Sequence, residues 1–360
     1  MGVEEGRDKS AVCQRALIRK QSELSSVSSL SNEAMEEAEL CFPQLNTSCR
    51  KMMRPHSEAM LIYTLLPCIT LLTVVLNLLV IISISHFRQL LTTTNLFLLS
   101  LAVGDFLVGF LQMPAAILLL QGCWMLGDLL CAAYYFLGYL TVSVSVGNMV
   151  LISVDRYMAI CDPMFYSTKV TVKRVQLCVC LCWIFSAVHS SWILRNSLKH
   201  LDSYKICHGE CVVIGSNAEE IVDLIVTFLG PILVITLLYT RVFVVAVSQA
   251  RAMRSHIAAV TLQRSQTVKA KKSEMKAART LGVVIAVFIL CSCPYYCFAF
   301  AVVNNLVRMS TSIIELWLLY FNSCLNPVIY VFFYPWFRKS IKHVVTLQIL
   351  QPGSSQTNLM

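Results

Sequence analysis

Charge is scarce in this chain. Of its 360 residues only 14% are Asp, Glu, Lys or Arg, against about 25% in an ordinary soluble domain. Hydrophobic residues make up 57% and mean hydropathy is +0.67, which excludes a water-soluble globule and implies a polytopic membrane protein. Catalytic signatures are missing as well. No metal triad, nucleophile elbow or phosphate loop is legible, which argues against an enzyme. Neither internal repeats nor paired broken helices appear, which argues against a transporter or channel. No cleavable leader is legible at the start of the sequence. Residues 1–40 are polar, mixed in charge and rich in Ser and Glu, so the first span is expected to act as its own insertion signal. Residues 1–34 are expected to be disordered, and Met35 offers an alternative start.

What the chain does have is seven apolar stretches, near 58–85, 92–119, 130–154, 175–194, 219–245, 279–303 and 312–333. Each has roughly the 20 residues needed to cross a hydrocarbon core. The expected fold is an all-α membrane protein, a bundle of seven transmembrane helices (spans one to seven). A retinal-binding bundle needs a Schiff-base lysine in its last span, and 312–333 contains none. The net charge of +9 reads as topology rather than as a nucleic-acid surface. Nine Lys/Arg and a single acid, Glu274, lie between Arg241 and Arg279, and Lys169, Lys173, Arg174, Arg338, Lys339 and Lys342 fall on the same side. By the positive-inside rule that side is the cytosol. An odd number of spans then puts the N-terminus outside. The chain divides into an outer segment, 1–57, a bundle, 58–333, and a cytoplasmic end, 334–360. In that end, Pro335 bends the chain into a short amphipathic eighth helix. Trp336, Phe337 and Ile341 make its apolar side and Arg338, Lys339 and Lys342 its basic side, a pattern that lies on the inner leaflet.

Sixteen cysteines are present. Those within spans read as small hydrophobes. Cys41, Cys49, Cys131, Cys207 and Cys211 face an oxidising compartment, where disulfides are favoured. "CHGEC" has no second ligand pair, so no metal site is expected. Asn46-Thr47-Ser48 is a glycosylation sequon on the same outer segment.

Polar residues inside the spans carry most of the functional information. Asn77, Asp105, Ser145, Asn322 and Asn326 lie at membrane depth and must find partners in the bundle interior. One acid with several neutral oxygens suits a hydrated Na⁺; a purely structural hydrogen-bond network is the alternative. "SVDRYMAIC" closes span three, with Asp155 able to restrain its neighbour Arg156 and Glu274 as a second candidate partner. Such a clamp is a two-state element that an intracellular partner can capture. Asn326-Pro327 interrupts the helix ladder of span seven, with Tyr330 one turn later. Asp223 is a lone acid in the outer half of span five, eight residues ahead of Pro231. An acid there costs at least ~2.5–3.5 kcal/mol to insert, so it is expected to hold something.

Taken together, Asn77, "LAVGD" ending at Asp105, Cys131, Asp155-Arg156-Tyr157, Trp183, Pro231, Tyr239, Phe288, Pro294 and "NPVIY" resemble the rhodopsin-like G-protein-coupled receptors over roughly 55–345. Within that family, Asn322, Ser323, Asn326, Pro327, Tyr330, Tyr334, Trp336 and Phe337 match the signature of the trace amine-associated receptors. Trp317 and Tyr320 match an aromatic pair of amine receptors, and "ELCFPQLNTSC" resembles the amino-terminal segment of fish members. The resemblance implies an outer cavity for an amine, a Gs- or olfactory-type G protein, and arrestin and a receptor kinase as further partners. It implies no cofactor beyond the Na⁺. It also implies disulfides from Cys131 to Cys211 and from the N-terminal segment to Cys207, with Cys41 preferred and Cys49 as the alternative.

Two departures from the family matter. Amine receptors carry an aspartate in span three, eighteen residues before the arginine of the Asp-Arg-Tyr motif; here that place is Gly138. The family's tryptophan before the span-six proline is replaced by Ser292, leaving Phe288 and Tyr295 as substitutes. Asp223 is therefore expected to replace the missing acid, as in some fish members, with Tyr295, Tyr296, Trp317 and Tyr320 supplying π-faces to the cation. The alternative is that Asp223 pairs with Arg195, Lys199 or Lys205.

Overall fold

The computed structural model describes residues 40–51, 60–199, 207–212, 216–257, 265–303, 313–357 and 359. The expected disorder of 1–34 lies outside them. Seven helices among the described residues are long and apolar enough to span a bilayer: Tyr63–His86, Thr93–Leu120, Gly127–Cys161, Val172–Asn196, Asn217–Val245, Gly282–Ala301 and Leu316–Phe333. Each overlaps its expected stretch. Span three, within a continuous helix of 35 residues, packs against spans two, four, five and six and forms the axis of the bundle.

Three spans contain a widened π-turn, at Leu61–Leu65, Val108–Gln112 and Ile225–Leu229. Each ends two residues ahead of a proline, Pro67, Pro114 or Pro231. A proline ring has no N–H to give and collides with the carbonyl four residues back, and a wider turn makes room for it. In span five the wide turn follows directly after the segment that carries Asp223.

Two apolar clusters stack along the bundle. One, toward the Arg156 end, contains Leu98, Leu101, Met149, Ile152, Phe288 and Tyr330. The other, toward the disulfide end, contains Met113, Trp124, Tyr134, Trp317 and Tyr320. Trp183 fixes span four to span two by donating from its indole to Ser100 Oγ at 3.1 Å.

Beyond span seven, Pro335–Val345 forms the eighth helix. Its Arg338 donates to the carbonyls of Val331 (2.8 Å) and Phe332 (3.0 Å), satisfying the orphan end of span seven. Ser340 donates to Ser83 of span one at 2.9 Å. The chain then folds back, so that Leu359 is buried with Phe87 and Leu90 against Trp336.

Candidate functional site

Span five starts at a capping box. Ser216 Oγ accepts from the Glu219 N–H, and the Glu219 carboxylate accepts from the Ser216 N–H at 2.9 Å. Glu219 is buried and also takes Asn196 Nδ2 (2.7 Å) and Arg195 Nε (3.7 Å). Arg195 is thus engaged by Glu219 rather than by Asp223; Lys205 and the side chain of Lys199 lie outside the described residues. One turn inward from this anchor stands Asp223. Its side chain is 17% exposed, and its Oδ1 atom is buried with no hydrogen-bond partner. Among the described residues, the basic group beside it is His189 of span four, whose Nε2 lies 3.8 Å away. Thr227 Oγ1 donates to the Asp223 carbonyl at 2.6 Å and pairs with the Tyr296 hydroxyl at 2.9 Å. Tyr296 stacks on Phe228 and meets Tyr295 edge-on.

Across the bundle, Gly138 faces span two. A Cβ built on it would lie 3.6 Å from Gln112 Oε1. Gln112 is buried, donates to the Tyr134 carbonyl at 2.8 Å and lies 3.5 Å from the Tyr320 hydroxyl. Tyr134 and Tyr320 share a hydrogen bond of 3.2 Å, and Trp317 packs edge-on to Tyr320 with its indole N–H unpartnered. The site therefore has an acidic side (Asp223, His189, Thr227, Tyr296) and a neutral aromatic side (Gln112, Tyr134, Trp317, Tyr320). Tyr295 is within electrostatic reach of both.

Deeper, Asn326 Nδ2 donates to Asp105 Oδ2 at 2.8 Å and Asn77 Nδ2 donates to the Ser323 carbonyl at 3.0 Å. Ser145 Oγ, Asn322 Oδ1, Asn326 Oδ1 and Ser292 Oγ are buried without a partner. Phe288 is buried in the core beneath them.

At the far end, Asp155 is a hub. Its Oδ2 accepts from Arg156 and from Thr94 Oγ1, and its Oδ1 accepts from the Tyr166 hydroxyl at 2.9 Å. Arg156 also donates to Thr94. Tyr166 sits on the loop helix Pro163–Lys169, which opens with Asp162 capping the Phe165 N–H. Burial, with Asp155 second, raises the Tyr166 pKa above its usual value and keeps the phenol a donor. Tyr157 packs on Ile160 and Val242. Tyr239, Tyr330 and Tyr334 direct unpartnered buried hydroxyls into this end. Pro327 lies inside a continuous span-seven helix. The Glu274 side chain lies outside the described residues.

The model of the "7 transmembrane receptor (rhodopsin family)" matches residues 76–330. Similar proteins include trace amine-associated receptor 13c of Danio rerio, 36% identical over 92% of this chain and 98% of that one. Trace amine-associated receptor 7e of Mus musculus is 35% identical over 89% and 92%, and receptor 9 of Rattus norvegicus 36% over 89% and 97%. The chain is a rhodopsin-family receptor of the trace amine-associated group. It is a G-protein-coupled receptor rather than an enzyme, and a multi-pass membrane protein.

The receptor carries three disulfides, Cys41–Cys123, Cys49–Cys207 and Cys131–Cys211. The expected bridge from the N-terminal segment to Cys207 is present, but its partner is the alternative, Cys49, and not the preferred Cys41, which pairs with Cys123. The cause is a short backbone pairing. His208 N–H donates to the Thr47 carbonyl and Cys49 N–H to the His208 carbonyl, each at 2.8 Å, which lays Cys49 beside Cys207. Trp124 N–H donates to the Gly209 carbonyl at 2.8 Å, bringing Cys123 under Cys41. Gly209 has φ +102°, and a Cβ there would meet Cys41 and Phe42 at 3.2 and 3.1 Å, so this approach requires glycine. Cys49, Cys207 and Glu210 cluster tightly, but both sulfurs are spent in the bridge and offer no thiolate to a metal. Asn46 is exposed on the same segment. A cavity of about 550 Å³ opens there between Phe42, Trp124 and His208, and no span-five residue lines it.

Sequence reasoning missed Cys123, Gln112, His189, Thr94 and Tyr166. Two had a signal. Five external cysteines cannot all pair, and His189 is an ionisable residue inside a span.

Proposed function

We propose that this receptor binds a protonated amine with Asp223 as counter-ion. It lies in the plasma membrane with its N-terminus, glycosylated at Asn46, outside the cell. Its Arg156 end captures a Gs- or olfactory-type heterotrimeric G protein and raises cAMP. One observation carries the amine reading: a carboxylate oxygen buried in the membrane-spanning bundle with no donor. An ammonium offsets that desolvation through a charge-assisted hydrogen bond. The similar receptors named for trace amines point the same way. Gly138 gives a cation no charge, so the amine head lies at span five and its body extends toward Tyr295, Trp317 and Tyr320. Arrestin and a receptor kinase act on the same face as the G protein. A hydrated Na⁺ belongs beside Asp105, which Asn326 contacts, with the buried oxygens of Asn322, Asn326 and Ser145 having lone pairs without donors.

Asp223→Asn keeps the shape and removes the charge. Leaving an ammonium unpaired typically costs about 2–5 kcal/mol, or roughly 30- to 5,000-fold in potency. A shift under threefold in the cAMP dose–response to an activating amine, at equal surface expression, overturns the assignment. The second reading, a neutral ligand, is favoured by Gln112 and the unpartnered Trp317 indole on the other side. It predicts that the same variant responds normally.

A further inference from the structure

His189 is 7% exposed, and neither of its ring nitrogens has a hydrogen-bond partner. It stacks on Phe185 of its own helix and faces Asp223 across the gap between spans four and five. The 3.8 Å between Nε2 and Oδ1 is too long for a hydrogen bond. Three polar atoms are thus buried unsatisfied in one place: both imidazole nitrogens and a carboxylate oxygen. Native interiors rarely leave such groups without a partner.

Neither Thr227 nor Tyr296 supplies the donor. The Thr227 hydrogen goes to the Asp223 carbonyl, so Tyr296 donates to Thr227, and neither hydroxyl has a hydrogen left. With its proton on Nδ1, the imidazole presents Nε2 as an acceptor. Two acceptors then face each other. What complements them is a single centre with at least two N–H donors. Acceptors on two hydrogens of one tetrahedral nitrogen stand roughly 4.7 Å apart when each bond is about 2.9 Å. The observed gap needs to open by under about 1 Å to reach that spacing, within a side-chain adjustment.

We propose that His189 and Asp223 form a two-acceptor seat for a primary ammonium, and that His189 sets selectivity for primary over N-methylated amines. The inference rests on the amine reading of Asp223 and adds the substitution pattern of the nitrogen. A tertiary ammonium has one N–H, which Asp223 takes, leaving His189 unsatisfied and the two methyls against it. A quaternary ammonium has none.

The test is a matched series on one phenylethyl body, repeated on a pentyl body: the primary amine and its N,N-dimethyl and N,N,N-trimethyl derivatives. Each is titrated in cells with a cAMP reporter at matched surface expression. In the native receptor the primary amine should be at least about 10-fold more potent than the dimethyl amine, the value of one charge-assisted hydrogen bond. His189→Phe keeps the ring and removes the acceptor. It should weaken the primary amine by about 10- to 150-fold, leave the dimethyl amine within threefold, and erase the preference. His189→Gln restores an acceptor and should restore the preference, and it carries the test should the Phe variant miss the surface. Equal losses for all amines in His189→Phe, or an unchanged ratio, overturn the proposal, because His189 would then only pair with Asp223 or pack. Asp223→Asn in the same assay separates the two levels. If it leaves every curve unmoved, the amine reading itself fails; if it abolishes all responses while His189→Phe leaves the ratio unchanged, only the role of His189 fails.

Discussion

Replacing Cys41 and Cys123 together by serine removes one bridge without leaving either partner as a free thiol. Taken alone, a bridge across 82 residues restricts the unfolded chain by about 4.5 kcal/mol on the loop-entropy argument. The other two bridges shorten that loop. From Cys41 the chain runs to Cys49, crosses to Cys207, continues to Cys211, crosses to Cys131 and returns to Cys123. That path is roughly 20 residues, so the remaining restriction is worth about 3.3 kcal/mol. The double variant should reach the surface in reduced amount. Once solubilised in detergent it should lose ligand binding at a lower temperature than the native receptor. Removing Cys131 and Cys211 as a pair should cost a similar amount and also release the loop that the Tyr135 hydroxyl holds at the Cys211 carbonyl (3.3 Å). Peptide mapping without reduction should recover Cys41 linked to Cys123. Recovery of Cys41 linked to Cys207 would refute the reasoning, since the pairing of Thr47 with His208 would then not set the register.

Arg156→Ala should abolish the cAMP response while leaving surface expression and ligand binding measurable. Asp155 keeps Thr94 and Tyr166 as donors, and Arg156 lies 18 residues, about 27 Å of helix, from Gly138; normal efficacy would refute it. Ser216→Ala removes the cap of span five and should cost about 0.5–2 kcal/mol, read as a lower inactivation temperature. It should also weaken amine potency modestly, because the Glu219 N–H loses its acceptor one turn from Asp223 while the Glu219 carboxylate keeps the Ser216 N–H, Asn196 and Arg195; no change in either reading would show that the cap is redundant.

The spans were legible because bilayer thickness imposes a length and a composition, and neither depends on tertiary contacts. Asp223 stood out because an acid in an apolar run has few bland explanations. Gln112 did not, since a neutral amide carries no comparable cost and its role appears only when span two meets Gly138 and Tyr320. The Asp155–Arg156 contact could be read from adjacency. Thr94 and Tyr166 could not, because they reach Asp155 from another helix and a loop. Cysteine pairing failed for a different reason. Cys123 lies just beyond the end of span two and was passed over among the external residues, and the register that decides between Cys41 and Cys49 is set by backbone hydrogen bonds with no side-chain signature.

The three bridges set spans one to four apart from spans five to seven. Every peptide bond between Cys41 and Cys211 is spanned by at least one of them, so a single proteolytic cut anywhere in that stretch leaves both pieces in one covalent unit until the protein is reduced. That unit contains spans one to four, His189 included. Spans five, six and seven follow it in sequence with no cross-link among the described residues, and they carry Asp223, Tyr295, Tyr296, Trp317 and Tyr320. A ligand seated between His189 and Asp223 would therefore bear on the boundary between the part of the bundle closed by disulfides and the part held by noncovalent contacts alone.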